Sequence, residues 1–226
     1  MNDNKTLILK TLVGSQAHGL AGEDSDFDYR GVYVLPTSEI LSLGFKYKGS
    51  DWFEGKEDQT TYEIGHFLHL ALQCNPSILE VFKAPVVYEG YNTSLGYYIE
   101  LIDLFKYIWN PKGAFNAFVG YGLNQRKKML DNHLDRWNKY AMAYIRTLSN
   151  LCDLLETKDF SLEVKDPVLK IRLLDIKAKK LSTGEVIDLA NYYENKAKEL
   201  LPLCQNESQP EKVNNFLLKI RQEFWN

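Results

Sequence analysis

GSQAHGLAGEDSDFDYRGVY, residues 14–33, joins a small-residue turn to two aspartates, Asp26 and Asp28, one residue apart. If Ser25 to Tyr29 run extended, alternate side chains leave the same face, because a strand has a period of two. The two carboxylates then stand side by side. Like charges at that spacing repel and raise one another's pKa unless a cation lies between them, and an all-oxygen site suits Mg²⁺. The other half of the stretch offers a place for an anion. Gly14 lets the backbone approach a ligand, Ser15 is positioned to cap a short helix over Ser15 to Leu20, and the free amides at a helix start attract phosphate.

Outward from this stretch, Thr6 to Val13 and Gly31 to Leu35 are apolar runs that read as strands. A Gly-Ser pair is most often only a turn and an Asp-x-Asp most often a solvated acidic loop. The order strand, Gly-Ser, short helix, Asp-x-Asp, strand is more specific than either piece.

Gly14-Ser15 followed by Asp26-Phe27-Asp28 resembles the signature of nucleotidyltransferases of the DNA polymerase beta superfamily. The longer string GSxAxGL, then SDxDYRGVYV, then Asn75-Pro76, resembles the RlaP family associated with RNA repair, closely over residues 7–82 and more loosely beyond. The resemblance implies an α+β fold: a small mixed β-sheet of the polymerase beta palm type in a catalytic domain over residues 1–92, then an α-helical C-terminal domain over 93–226. It also implies two Mg²⁺ ions, with Mn²⁺ as a substitute, and transfer of a nucleoside monophosphate from a nucleoside triphosphate to a hydroxyl acceptor with release of pyrophosphate. An RNA end, a protein hydroxyl, a small molecule and another nucleotide all remain open as the acceptor.

Within that reading, Asp26 and Asp28 bind both ions, and Gly14 and Ser15 grip the β- and γ-phosphates. Two-metal transfer needs a third carboxylate from a neighbouring strand. Lys56 to Tyr62 has the Thr and Tyr content of a strand, and Asp58, four residues before Tyr62-Glu63, matches the family pattern and is the expected third ligand. Glu57 and Glu63 compete for the role, and plain surface charge is the alternative. Arg30 either pairs with Asp26 or Asp28 or contacts substrate phosphate. Lys139 and Arg146, seven residues apart on one face of a helix over Asp135 to Glu156, are ordinary solvated charge on spacing alone. The resemblance makes them nucleotide-binding candidates, because a Lys and an Arg recur there in the family. The histidine expected within that helix is absent, Ala143 and Tyr144 standing in its region.

The remainder of the chain reads as helices with clear ends. Gly44 to Gly55 lacks periodicity and reads as a loop. Tyr97 to Asn110 and Ala114 to Leu130 read as single helices, Asp166-Pro167 opens another, and Ser182 with Glu185 and Ser208 with Glu211 read as capping boxes. Residues 84–96 hold a Pro, Gly, Asn and Tyr cluster that suggests the domain boundary.

With 226 residues, 45% of them hydrophobic, the chain has ample material for a packed core. A net charge of −3 argues against broad wrapping of nucleic acid and leaves room for local grip. Cys74, Cys152 and Cys204 have no CxxC or zinc spacing and read as buried thiols in a reducing compartment. The N-terminal MNDNKTLILK lacks a basic leader, and no run approaches the ~20 apolar residues of a membrane span, so a cytoplasmic protein is expected. The rival from another class is a protein that keeps the fold and binds a nucleotide or a partner without turnover.

Overall fold

The apolar run before Gly14 forms β1 (Thr6–Val13), in which Ile8, Leu9 and Val13 are buried. The computed structural model describes residues 4–46, 49–53, 58–87, 96–131 and 135–226, with the side chains of 51–53 and 58 outside the description. β2 (Asp28–Val34) returns antiparallel to β1, with Val13 opposite Asp28 and Lys10 opposite Gly31. β3 (Ser50–Phe53) and β4 (Asp58–Glu63) complete a sheet of order β1-β2-β4-β3, in which β4 is parallel to β2 and β3 antiparallel to β4. Residues 85–87 cover the outer edge of β1: the Leu12 amide donates to the Pro85 carbonyl and the Val87 amide to that of Lys10. A free edge of this kind otherwise invites pairing with other chains.

The chain divides into two compact units, Met1–Leu72 with Ser77–Ile108 and Ser208–Asn226, and Gln73–Pro76 with Trp109–Glu207. The expected boundary between residues 92 and 93 lies outside the described residues.

The sheet unit also holds the short helices α1 (Gly14–Ala17) and α2 (Thr37–Ile40). α3 (Ile64–Leu72) buries Ile64, Phe67, Leu68 and Ala71, an i, i+3, i+4, i+7 stripe, and α4 (Pro76–Val81) follows it. Where one helix was expected over 97–110, α5 (Tyr97–Asp103) and α6 (Phe105–Ile108) are separate. At the junction the Leu104 amide bonds the Leu101 carbonyl and the Tyr107 amide that of Leu104, so i→i−3 bonds interrupt the ladder.

The last helix of the chain, α11 (Pro210–Glu223), belongs to this unit, and its anchoring explains why. Glu63, at the end of β4, is fully buried, and its Oε1 lies 2.6 Å from Arg221 Nη2, while Oε2 accepts from the Gly65 amide at 2.7 Å. The Oε1 contact is an ion pair rather than an aligned hydrogen bond. The Thr37 amide and hydroxyl add bonds to the Phe224 and Arg221 carbonyls. Arg221→Ala leaves a buried carboxylate without its cation, and the expected loss is about 3–5 kcal/mol of unfolding free energy by denaturant melts. Glu63→Leu in that background is expected to recover part of it. Equal stability of Arg221→Ala and wild type would contradict the pair's role.

The second unit consists of α7 (Pro111–Leu130), α8 (Trp137–Thr157), α9 (Pro167–Lys177) and α10 (Thr183–Leu200). Phe118, Tyr144, Ile145, Leu148, Leu151, Leu173 and Val186 are buried in it. Asn110 caps α7 through the Gly113 amide, Asp166 caps α9 through that of Val168, and Ser182 with Glu185 forms the reciprocal box before α10. The box expected at Ser208 and Glu211 does not form. α11 begins at Pro210 with Gln209 as its N-cap, because the Gln209 amide is drawn to the Tyr107 carbonyl at 2.7 Å.

Ser50–Phe53 corrects the reading of 44–55 as loop. A four-residue strand is too short to display a period of two, and its conformation comes from pairing with β4. All three cysteines are free, Cys74 and Cys152 buried as expected and Cys204 only half-buried, and burial pushes the Cys152 thiol up to about 12. Among the described residues no helix is long and apolar enough to cross a membrane.

Candidate active site

β1 ends at Val13 and β2 begins at Asp28, and these two residues face each other across the antiparallel pair. The fourteen-residue excursion between them therefore leaves and re-enters the sheet at one point. Gly14 sits there with φ +70, the left-handed region where glycine carries no steric penalty. A Cβ built on it would fall 2.0 Å from Asp28 Oδ2 and 2.9 Å from Asp28 Cγ. The Asp28 carboxylate thus occupies the space that any other residue at position 14 would fill.

α1 follows at once, and Val13, extended at φ −127, is its N-cap. This corrects the expectation for Ser15. The strand delivers its last residue in the capping conformation, so Ser15 is the second residue of the helix and its hydroxyl is not the cap. The helix is also shorter than the expected Ser15 to Leu20. Gly19 at φ +66 closes it, with the Gly19 amide on the Gln16 carbonyl, the Leu20 amide on the Ser15 carbonyl, and Leu20 itself buried.

Gln16 is a residue the sequence reading passed over. Its Nε2 donates to the Ser25 carbonyl at 3.1 Å, and the Gly22 amide donates to Ser25 Oγ at 2.8 Å. These bonds tie the turn 22–25 to α1 and so set where the chain enters the Asp26 to Asp28 segment. A polar residue between Gly14-Ser15 and Ala17 was the only signal available.

Asp26 is exposed and lies two residues ahead of β2, while Asp28, the strand's first residue, is half-buried. The parallel register sets Asp28 beside Asp58, the first residue of β4. Glu63 stands at the other end of β4, opposite Tyr33, and is committed to Arg221, which removes it as a rival to Asp58. Glu57 and the side chain of Asp58 lie outside the described residues. Arg30, opposite Thr11, donates from Nη1 to the Tyr29 carbonyl at 2.9 Å. Lys139, exposed, and Arg146, half-buried, are both on α8 in the helical unit.

Among the described residues there is no group of three or more His, Cys, Asp or Glu side chains able to hold a metal ion. The donor set nonetheless fits Mg²⁺ in kind. All candidates are carboxylates, and two of them open adjacent parallel strands at one level of the sheet.

A family model described as RlaP, the RNA repair pathway DNA polymerase beta family, matches residues 2–182. Among solved structures, the spectinomycin adenyltransferase AAD(9) from Enterococcus faecialis, crystallised with ATP and spectinomycin, is similar at 14% identity and a TM-score of 0.41, over 85% of this chain and 92% of that one. Comparison with curated proteins gives no significant match.

Proposed function

The chain belongs to the RlaP family, the RNA repair pathway DNA polymerase beta family, and is a nucleotidyltransferase; from that premise we propose that it moves a nucleoside monophosphate from a nucleoside triphosphate to a hydroxyl of an RNA end, dependent on Mg²⁺. The observation that carries this reading is the start of β2: Asp28 in register with Asp58 and packed against Gly14. The RNA acceptor rests on the family's description.

In this reading Asp26, Asp28 and Asp58 would hold two Mg²⁺ ions, which supply charge neutralisation at the phosphates and a lowered pKa for the acceptor hydroxyl. The amides that open α1 and the Ser15 hydroxyl bind the β- and γ-phosphates, since the first turn's N–H groups have no intrahelical acceptor. Arg30 adds positive charge toward the nucleotide, and the family resemblance makes Lys139 and Arg146 further nucleotide-binding candidates. The acceptor oxygen attacks the α-phosphorus in line, its bond to phosphorus forms as the bond to the bridging β-oxygen breaks, and pyrophosphate leaves. Three free cysteines fit work in the reducing cytoplasm.

The test is incubation of the purified protein with Mg²⁺, each of the four α-labelled ribonucleoside triphosphates and short RNA acceptors. Label on the acceptor with matching pyrophosphate release is expected. Nucleotide binding without transfer to any acceptor would instead support the non-catalytic rival.

A further inference from the structure

In the helical unit, the end of α7, the start of α8, the connection from α9 to α10 and the start of α10 line an open pocket of about 360 Å³. Met129, Leu130, Trp137 and Leu181 supply its apolar wall, and Lys179, Ser182 and Thr183 its polar side. The catalytic reading uses none of them.

The walls are held in place before any ligand arrives. Asn138 Nδ2 donates to the Lys177 carbonyl at 3.2 Å, which fixes the start of α8 against the end of α9. Lys179 turns the chain in the left-handed conformation, φ 56, with its amide on the Ile176 carbonyl and the Lys180 amide on that of Asp175. The Ser182 hydroxyl is occupied by its capping box with Glu185, which sets the backbone at Thr183. A preformed site spends little ordering entropy on binding.

The chemistry of the lining selects a ligand. An indole with aliphatic and thioether neighbours suits a flat ring, and about 360 Å³ accommodates one nucleoside. Lys179 brings positive charge to the lining, while its neighbour Lys180 is paired with Asp175 at 3.3 Å. An apolar peptide side chain has no use for that charge, and an inorganic anion has none for the indole. We propose that this pocket binds one nucleotide, its base against Trp137 and its phosphate toward Lys179. The nucleotide is either a free mononucleotide or an unpaired residue of a strand. The site does not depend on Asp28.

Equilibrium dialysis with labelled AMP, GMP, CMP and UMP, and with a single strand of about eight nucleotides, tests this on the full chain. With divalent cations removed by EDTA, so that the carboxylate site has no ion to hold a phosphate, binding is expected to be about tenfold weaker for Trp137→Ala than for wild type, the loss of one base stack. Leu130→Glu, at a residue 51% exposed, puts a carboxylate at the rim without emptying the core and is expected to weaken binding comparably while its melting curve stays that of wild type. Mononucleotide binding identifies a free nucleotide as the ligand, and binding of the strand alone identifies a strand residue. The proposal is overturned if no probe binds, if Trp137→Ala and Leu130→Glu bind as wild type, or if Asp28→Asn alone abolishes binding. Because transfer is not the readout, an inactive enzyme that still binds at Trp137 leaves this site standing.

Discussion

Asp28→Asn is expected to lower nucleotidyl transfer by about a thousandfold or more while the protein melts within a few degrees of wild type. The substitution keeps the shape of the side chain against Gly14 and removes its charge. Metal-borne stabilisation of the transferring phosphate amounts to several kcal/mol, and each ~1.4 kcal/mol is tenfold in rate. Position decides the size of the effect. Asp28 opens β2, lies in register with Asp58 on β4 and faces the end of β1, so no neighbouring carboxylate of β2 can replace it. Circular dichroism and a label-transfer assay on the same sample separate loss of chemistry from loss of fold. An Asp28→Asn protein with transfer near the wild-type level would remove Asp28 from the mechanism.

Gly14→Ala is the second large effect, and it acts through the same carboxylate. A residue with a Cβ at φ +70 carries a backbone penalty of about 1–2 kcal/mol. The added methyl would also lie 2.0 Å from Asp28 Oδ2, closer than any contact allows, so the carboxylate must move. The expected result is destabilisation of about 2 kcal/mol or more, with transfer reduced about a hundredfold or more. A double variant tells the two costs apart. Asp28→Ala in the Gly14→Ala background removes the 2.0 and 2.9 Å contacts, leaves the residue 28 Cβ at 3.0 Å, and is expected to restore part of the melting temperature and none of the transfer. Full activity in Gly14→Ala would mean that the Asp28 carboxylate has no fixed position to lose.

Much of this arrangement was legible in the residues. The apolar runs before Gly14 and after Asp28 are long enough to show as strands, and the stripe on α3 carries four buried positions at helical spacing. Asp166-Pro167 and Ser182 with Glu185 announce helix starts because each cap is a local hydrogen bond between near neighbours, whereas the Asn110 cap that starts its helix at Pro111 went unread and that start was placed at Ala114. What the sequence concealed depends on distant partners. Ser50–Phe53 is a strand through β4, and Glu63 loses its candidacy as a metal ligand to Arg221, more than 150 residues away in the chain. Ser208 with Glu211 has the spacing of a cap yet forms none, since Tyr107 claims the Gln209 backbone. At the candidate site, the expected extended run over Ser25 to Tyr29 begins only at Asp28, with Asp26 ahead of the strand, and the register of Asp28 with Asp58 and the fit of Gly14 against a carboxylate exist only once the chain is folded.

In the proposed mechanism Asp28 holds a divalent cation together with Asp26 and Asp58. Titration of Mn²⁺ into the protein with a non-hydrolysable nucleoside triphosphate analogue, followed by the electron paramagnetic resonance signal of the free ion, measures that directly and requires no knowledge of the acceptor. Two bound ions per chain are expected for wild type, with binding weakened at least tenfold in Asp28→Asn and in Asp58→Asn. Equal Mn²⁺ uptake by all three proteins would contradict it.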